Sequence, residues 1–579
     1  MKTRQGAHTR PLAPDDASSG LLAGLTSAEA WTLAAVTIPA SSIIGAYAID
    51  AAGFTFRPWV MLPFVLACAV GVASSALRRS TPARADTRTF VAIVVALTAW
   101  LLWLARPTFM PLSTGPDLTH HLLLIDYIER HWRLVHDPAL ARMLGEMAQY
   151  TAGAHLLVAL VGAWTGRGGL QVFHAVQCLT VALETGVLYL ITARLLPARS
   201  PRVLGVVGLL LLLAAPRYWL GALTEYGFFA QVVAELFAVV IWWAAAAWDD
   251  APDWRLCCGV GASSVCVFLT WPVYSGAPAL AFFLVVMFRT ETPWPQRVRH
   301  LIAAFLPFVV VATTYLIGRL GWLQLVGTGG SVPWPSVASF GVPLVVLACS
   351  GLMLASVRRR GRATLLFVGA LVVQTLVLYV AARRSGAPQP YMALKMFYLL
   401  LRPMAVCAAL GVAVLWQRCW RAARSVRNDL PSATTEAFSA WLLAGVVLVV
   451  VGRPLWKSPR VLHPKPPAVS ASLFAAGTWT RDHLPIGCVE YLVGDDETAY
   501  WLHLAVLGNP RMSARTGDNS TYEPNDAIVR WLTPNGLPYA IADLTSLPRD
   551  VRDDLDIVRV FDTAAVARRR GPSACVVEP

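Results

Sequence analysis

The chain has 579 residues, of which 56% are hydrophobic and 14% are charged, and its formal net charge is +14. This balance excludes an ordinary soluble multidomain protein and predicts a multispanning membrane protein with the lipid bilayer as a partner. It does not indicate a nucleic-acid partner, because most of the excess Lys and Arg falls in the loops between apolar segments and no stripe alternates aromatic with basic residues.

Thirteen apolar segments, most of roughly 17 to 25 residues, are long enough to cross about 30 Å of hydrocarbon. They are 24–47, 58–77, 89–106, 170–193, 202–220, 226–248, 255–272, 274–289, 299–320, 339–357, 363–382, 392–415 and 437–452. Residues 154–166 are apolar but too short to span, so they predict a juxtamembrane or re-entrant helix. We therefore expect a mostly α-helical membrane domain over residues 21–452.

The distribution of basic residues predicts the orientation of these spans, because loops rich in Lys and Arg stay in the cytoplasm. Such loops occur at 1–10, 78–88, 194–202, 289–299, 358–362 and 418–427. All six lie on the cytoplasmic side if the N-terminus is cytoplasmic. Residues 1–20 are polar, and we expect them to form a disordered tail. The loop 107–153 and the C-terminal residues 453–579 then lie outside the cytoplasm.

Residues 453–579 differ in composition from the spans and predict a small α/β domain. Short apolar runs at 488–493, 539–542 and 556–561 predict strands, and 470–483 and 497–507 predict helices. Cys488 and Cys575 both fall in this domain and could pair if that side is oxidising. Its aromatic residues either stack on sugars or, more commonly, pack in the core; they are Trp479, Tyr500, Trp501 and Trp531.

The loop 107–153 carries the most informative polar residues of the chain. Asp117 begins an amphipathic stretch, Leu118 to Trp132, and His120 and His121 follow it at helical spacing. A carboxylate with an imidazole beside it can act as a general base, and the same set could hold a metal ion. The alternative is that Asp117 only caps the helix.

Further polar residues converge on the same predicted side. Tyr150 and His155 flank the start of the short helix, where His155 either lines the cleft or anchors the helix at the interface. Glu235 lies within a span, where an ionisable group indicates function unless it bonds to a neighbouring helix. The remaining candidates for substrate binding are Glu225, Tyr226, Gln231, Arg383, Arg384, Tyr391, Lys395 and Arg402.

The basic segment from Arg383 to Lys395 lies on the predicted outer side, against the usual topology. A phosphate would balance this charge, with Arg as a forked donor and Lys as a point charge. Snorkelling of Lys395 and Arg402 to lipid headgroups is the competing interpretation.

Together, the early-loop acid, the small-residue segment before His155, the stretch from Tyr391 to Lys395 and the outer C-terminal domain resemble the GT-C superfamily of integral membrane glycosyltransferases. The resemblance implies transfer of a sugar from a polyprenyl-phosphate donor to a cell-envelope glycan or lipid acceptor. Asp117 would activate the acceptor hydroxyl and Lys395 would hold the donor phosphate. His120 or His121 would orient Asp117, and Asp117 with His121 would be the ligands of a divalent metal ion, if the enzyme uses one.

The resemblance also implies a multi-pass protein of the bacterial cytoplasmic membrane. Two other functions remain open at this stage. A transporter or flippase of lipid-linked sugar would use the same intramembrane acid, although no two matching halves occur in the sequence. An O-antigen ligase or polymerase would also act on lipid-linked sugar, with outer arginines and a histidine as its main residues.

Overall fold

The computed structural model describes residues 24–104, 116–197, 200–224, 226–317, 332–426, 433–456, 467, 469–510, 523–533, 536–553, 555–573 and 575. For Asp117 the description is confined to the backbone, which is helical.

Within the described residues, each segment that the sequence predicts as a span contains at least one helix. In chain order the longer helices are α1 (Ser27–Ala51), α2 (Pro58–Leu77), α3 (Arg84–Leu104), α4 (Pro116–His131), α5 (Gly153–Thr165), α6 (Gly169–Leu195), α7 (Val203–Leu210), α8 (Phe229–Asp250), α9 (Trp254–Thr270), α10 (Gly276–Phe288), α11 (Trp294–Ile317), α12 (Val342–Ser356), α13 (Arg362–Arg384), α14 (Tyr391–Val426) and α15 (Ala433–Trp456).

Within the described residues, eight helices are long and apolar enough to cross a membrane, judged by length and composition. Shorter apolar helices occupy the other five predicted segments. The segment 202–220 is not one continuous helix, because α7 ends at Leu210, a 3₁₀ turn follows at Leu211–Ala214, and Pro216 begins a new helical turn. The chain is therefore a multi-pass helical membrane protein in which the segment 202–220 is broken.

Helix α5 is short, as the sequence predicts, and glycines define both of its ends. A Cβ atom on Gly153 would lie 2.7 Å from the Leu269 carbonyl oxygen, so only glycine allows α5 to begin against α9. Gly166 ends the helix with a positive φ of 66°. The Thr151 hydroxyl donates to the Thr270 carbonyl at 2.9 Å and fixes the residues before α5 to the same place.

Ion pairs join the helices at the end of the bundle that is predicted to face the cytoplasm. Arg194 Nη2 donates to Glu29 at 2.9 Å and its Nη1 donates to Asp250 at 2.9 Å. Glu29 also accepts the indole N–H of Trp243 at 2.9 Å and forms the capping box of α1 with Thr26. One arginine thus ties α1, α6 and α8 together.

The C-terminal residues form the predicted α/β domain. It contains α16 (Ala471–His483), β1 (Val489–Leu492), α17 (Asp496–Trp501), α18 (Pro524–Leu532), β2 (Tyr539–Asp543), α19 (Arg549–Asp553), β3 (Asp556–Phe561) and β4 (Ala564–Arg568). The sheet order is β1-β2-β4-β3, with β1 parallel to β2 and the other pairs antiparallel. Cys488 and Cys575 form a disulfide that joins the start of β1 to the C-terminal segment.

This domain packs directly on α4. Arg481 Nη1 donates to Asp126 Oδ1 at 2.9 Å, and Arg130 Nη2 donates to the Leu507 carbonyl at 3.0 Å. A Cβ atom on Gly508 would lie 2.3 Å from Asp126 Oδ2, and φ at this glycine is +68°, so no larger residue fits there. The apolar face predicted for α4 is confirmed as buried; it comprises Leu118, Leu122, Ile125 and Ile128.

Candidate active site

The first turns of α4 carry the residues that the sequence predicts as catalytic. Pro116 and Asp117 begin the helix, and the side chain of Asp117 lies outside the described residues. His120 and His121 follow within one turn and are both buried. Neighbouring residues on an α-helix point about 100° apart, so the two imidazoles face different surroundings.

His121 forms a pair with His155 of α5. His121 Nδ1 lies 2.9 Å from His155 Nε2, and the ring centroids are 5.1 Å apart. A hydrogen bond between two imidazole nitrogens requires one N–H donor and one unprotonated acceptor, so at least one of these rings is neutral. The edge of Tyr150 packs on both rings, at 5.2 Å from His121 and 5.6 Å from His155. These three predicted residues therefore form one cluster.

Lys395, in the first turns of α14, lies among aromatic rings. Its side chain is 3% exposed, and Nζ is 2.9 Å from the centroid of the Phe228 ring. The rings of Tyr391 and Trp271 lie 5.0 and 5.7 Å from Nζ. Such rings attract a cation through their negative faces, so this pocket holds an ammonium group away from bulk water.

Aromatic residues connect the lysine pocket to the histidine pair. The Trp271 ring lies 6.0 Å from Tyr150, and Phe229 lies 5.5 Å from His155, next to Phe228 in sequence. Gly227 has a φ of +60°, which turns the chain just before these phenylalanines. Predicted residues from three separate segments, His121, Tyr150 with His155, and Tyr391 with Lys395, are thus joined in one aromatic cluster.

A buried ion triad lies next to the backbone of Lys395. Arg402 Nε donates to Glu184 Oε1 at 2.7 Å, and its Nη2 donates to Glu235 Oε2. Gln231 Nε2 donates to the other oxygen of Glu235 at 3.0 Å. Tyr274 connects the triad to the pocket of Lys395, since its hydroxyl lies 3.3 Å from Glu235 Oε1 and donates to the Lys395 carbonyl at 2.8 Å. Arg402 and Gln231 therefore contact protein carboxylates, and the triad supports the backbone at Lys395.

The other predicted substrate residues lie further out. Tyr226 stacks on Phe228 with ring centroids 5.2 Å apart, and so supports the pocket of Lys395 from outside. Arg383 and Arg384 are exposed at the end of α13, where Arg383 lies over the ring of Tyr379. Glu225 lies outside the described residues.

His120 has partners that the sequence did not indicate. Its Nδ1 lies 3.1 Å from Glu146 Oε1, and its Nε2 lies 2.7 Å from the hydroxyl of Tyr500 in the C-terminal domain. Of the aromatic residues considered as sugar-stacking groups, Tyr500, Trp501 and Trp531 are buried, so core packing accounts for these three side chains.

The described residues contain no group of three His, Cys, Asp or Glu side chains that could hold a metal ion. His121 and His155 supply two nitrogens, fewer than the four to six ligands of common divalent ions. Their close Nδ1–Nε2 contact also engages one nitrogen of each ring. The side chain of Asp117, the other predicted metal ligand, lies outside the described residues, and no step below depends on a metal.

No protein-family model and no curated protein sequence matches the chain. Solved structures similar to it include ArnT from Cupriavidus metallidurans bound to undecaprenyl phosphate, with 15% identity, a TM-score of 0.48 and coverage of 84% of this chain and 98% of that one. The apo Archaeoglobus fulgidus oligosaccharyltransferase has 14% identity and a TM-score of 0.44, with coverage of 79% of this chain and 69% of that one. The mycobacterial arabinofuranosyltransferase AftD has 14% identity and a TM-score of 0.47, with coverage of 84% of this chain and 42% of that one.

These neighbours are glycosyltransferases of the GT-C type, the class that the sequence motifs resemble. Their identities to this chain are 14 to 15%, and their TM-scores lie below 0.5. The functional argument therefore depends on the residues of this chain.

Proposed function

We propose that this protein is a membrane glycosyltransferase that moves a sugar from a polyprenyl-phosphate donor to a glycan or glycolipid acceptor of the cell envelope. The observation that carries the proposal is the convergence of a buried ammonium group and a histidine pair on one aromatic cluster beside the first turns of α4. Lys395 contributes the ammonium group, and His121 and His155 contribute the pair.

The donor side of the proposal rests on Lys395. When a sugar leaves a polyprenyl phosphate, negative charge grows on the phosphate oxygen, and a fixed cation stabilises that charge best where water is excluded. The ammonium group is buried within reach of three rings, and Tyr274 holds its backbone carbonyl. The aromatic walls also offer an apolar surface to the first isoprene units of a polyprenyl chain.

The acceptor side rests on the first turns of α4. In the proposed reaction, the acceptor hydroxyl oxygen bonds to the anomeric carbon and the bond from that carbon to the phosphate oxygen breaks with its electron pair. The hydroxyl proton passes to the carboxylate of Asp117, which acts as the general base. His121 and His155, one turn further on and buried, keep this end of the helix fixed without adding a second competing carboxylate.

The proposal includes the topology that the basic loops predict. The catalytic membrane domain comprises residues 21–452, the C-terminal domain 453–579 lies outside the cytoplasm, and the membrane is the bacterial cytoplasmic membrane. The aromatic cluster around Lys395 and His155 lies at the end of the bundle opposite to the Arg194 ion pairs. This position supports the proposed topology, because basic residues collect at the cytoplasmic end.

A transfer assay tests the proposal. Purified protein in detergent is incubated with a panel of polyprenyl-phosphate sugars, and the release of polyprenyl phosphate is followed for the wild type and for Asp117→Asn. We expect the wild type to consume at least one donor and the folded variant to lose activity by about 100-fold or more, within the range for removal of a general base.

The two rival functions predict different results. A flippase would consume no donor and would move labelled lipid across liposomes containing the protein. A ligase or polymerase would release polyprenyl diphosphate from a diphosphate-linked glycan and would tolerate Asp117→Asn. Either result would contradict the proposed reaction.

A further inference from the structure

Tyr500 is the residue of the C-terminal domain that approaches the proposed catalytic helix most closely among the contacts described above. Its side chain is 1% exposed, and its hydroxyl lies 2.7 Å from His120 Nε2. It lies near the end of α17, immediately before a π-helical turn at Leu502–Val506. Such turns are rare and often occur at functional sites, because they change the direction of nearby side chains.

The direction of the hydrogen bonds follows from the chemistry of the partners. As a carboxylate, Glu146 can only accept a hydrogen bond, so His120 Nδ1 must carry the proton that Glu146 binds at 3.1 Å. In the neutral ring Nε2 is then the acceptor, and the Tyr500 hydroxyl donates to it. Both ring nitrogens are therefore engaged, one by the outer loop and one by the C-terminal domain.

The docking of the domain makes this contact a fixed one. Arg481 and Arg130 bind the C-terminal domain to α4 further along that helix. Gly508 allows the backbone of the domain to approach the side chain of Asp126 closely. The domain is therefore held at two places along the helix, near Asp126 and near His120. The second place is one turn from Asp117.

We infer that Tyr500 is a positioning residue of the transferase, which acts through His120 to hold the first turn of α4, and with it Asp117, in register for acceptor activation. This inference rests on the proposed function. It gives the C-terminal domain a part in turnover that is distinct from binding the acceptor, since the active site is complete only while the domain is docked.

The experiment compares two tyrosine-to-phenylalanine substitutions in the same domain. Tyr500→Phe removes the hydroxyl that contacts His120. Tyr491→Phe is the matched control, because Tyr491 is also buried and its hydroxyl lies 2.9 Å from a histidine nitrogen, His503 Nδ1, within the domain. Both variants lose one buried tyrosine–histidine hydrogen bond, and only one of these bonds reaches α4.

We expect Tyr500→Phe to lower kcat by about 10-fold, the effect of one lost hydrogen bond on the barrier. The KM for the donor should not change, because Lys395 lies on a different helix. Tyr491→Phe should lower the Tm by at least as much as Tyr500→Phe, because the Tyr491 hydroxyl also accepts a hydrogen bond from Asn509 Nδ2 at 3.0 Å, and it should leave kcat within about twofold of the wild type.

A double-mutant cycle with His120→Asn shows whether Tyr500 acts through His120. We expect the double variant to be no slower than His120→Asn alone, since coupled residues do not contribute additively. Equal kcat values for Tyr500→Phe and Tyr491→Phe, or additive losses in the cycle, would overturn the inference while the wild type remains active. A wild type that transfers no sugar would instead refute the proposed function.

Discussion

Replacement of Lys395 by Met tests whether the aromatic pocket binds the donor phosphate. Methionine keeps the length and apolar character of the side chain and packs well against rings. An ammonium-to-phosphate hydrogen bond contributes about 1.5 to 3 kcal/mol, so its loss should raise the Kd for polyprenyl phosphate by about 10-fold to 150-fold.

The fold should tolerate this change. The cation–π contacts of Nζ with Phe228 and its neighbours contribute about 2 kcal/mol or more at a buried site, and removal of a desolvated ammonium group offsets part of that loss. The assay is titration of detergent-solubilised protein with polyprenyl phosphate by calorimetry, beside a Tm measurement. Arg384→Met, an exposed cation on the same predicted side, is the control. A Kd for Lys395→Met within about threefold of the wild type, or a larger effect of Arg384→Met, would refute the reasoning.

Three further predictions concern stability. Burial raises the pKa of Glu129 to about 7 from an ordinary value of 4.5. Because the folded state holds this proton more tightly than the unfolded state, the free energy of unfolding should fall as pH rises from about 4.5 through 7. Glu129→Gln should flatten that part of a curve of Tm against pH, and an unchanged curve would contradict the assignment. Reduction of the disulfide between Cys488 and Cys575, which are 87 residues apart, should destabilise the C-terminal domain by about 4 to 5 kcal/mol, seen as a lower Tm in reductant that the double Cys→Ser variant no longer shows. Arg402→Met leaves two buried carboxylates unpaired and should cost about 3 to 5 kcal/mol of stability, whereas a normal Tm with a raised donor KM would assign Arg402 to substrate binding.

The helical fold could be predicted because hydrophobic length is a local property of the sequence. Among the described residues, twelve of the thirteen apolar segments each contain one main helix, and the segment 202–220 is broken. The short helix α5 was predicted from its length and from the need to keep the basic loop 194–202 on the cytoplasmic side. In the C-terminal domain the strands at 489–492, 539–543 and 556–561 were predicted, and β4 was missed. Its sequence, Ala564 to Arg568, has one β-branched residue and becomes a strand by pairing with β2 and β3.

The site could be predicted only in part. Helical spacing predicted that Asp117, His120 and His121 share one side of the first turn of α4. The structure instead gives His121 a partner in His155, and it gives His120 separate partners in Glu146 and Tyr500. Tyr500 is 380 residues away in sequence, and no local pattern links it to α4.

One missed residue did carry a readable signal. Glu184 lies in the middle of a predicted span, and the rule that marked Glu235 as notable applies equally to it. Its pairing with Arg402 explains how two intramembrane carboxylates and one guanidinium can share a buried site. Trp271 lies between Tyr150 and the ammonium group of Lys395. It gave no comparable signal in the sequence, because tryptophan is common at the ends of spans.

The most direct test of the proposed active site is an experimental structure of the protein in nanodiscs with polyprenyl phosphate. The account predicts phosphate density within hydrogen-bonding distance of Lys395 Nζ, with the polyprenyl chain leaving between the rings of Phe228 and Trp271. Phosphate bound instead at Arg383 and Arg384, or at the opposite end of the bundle near Arg194, would contradict it.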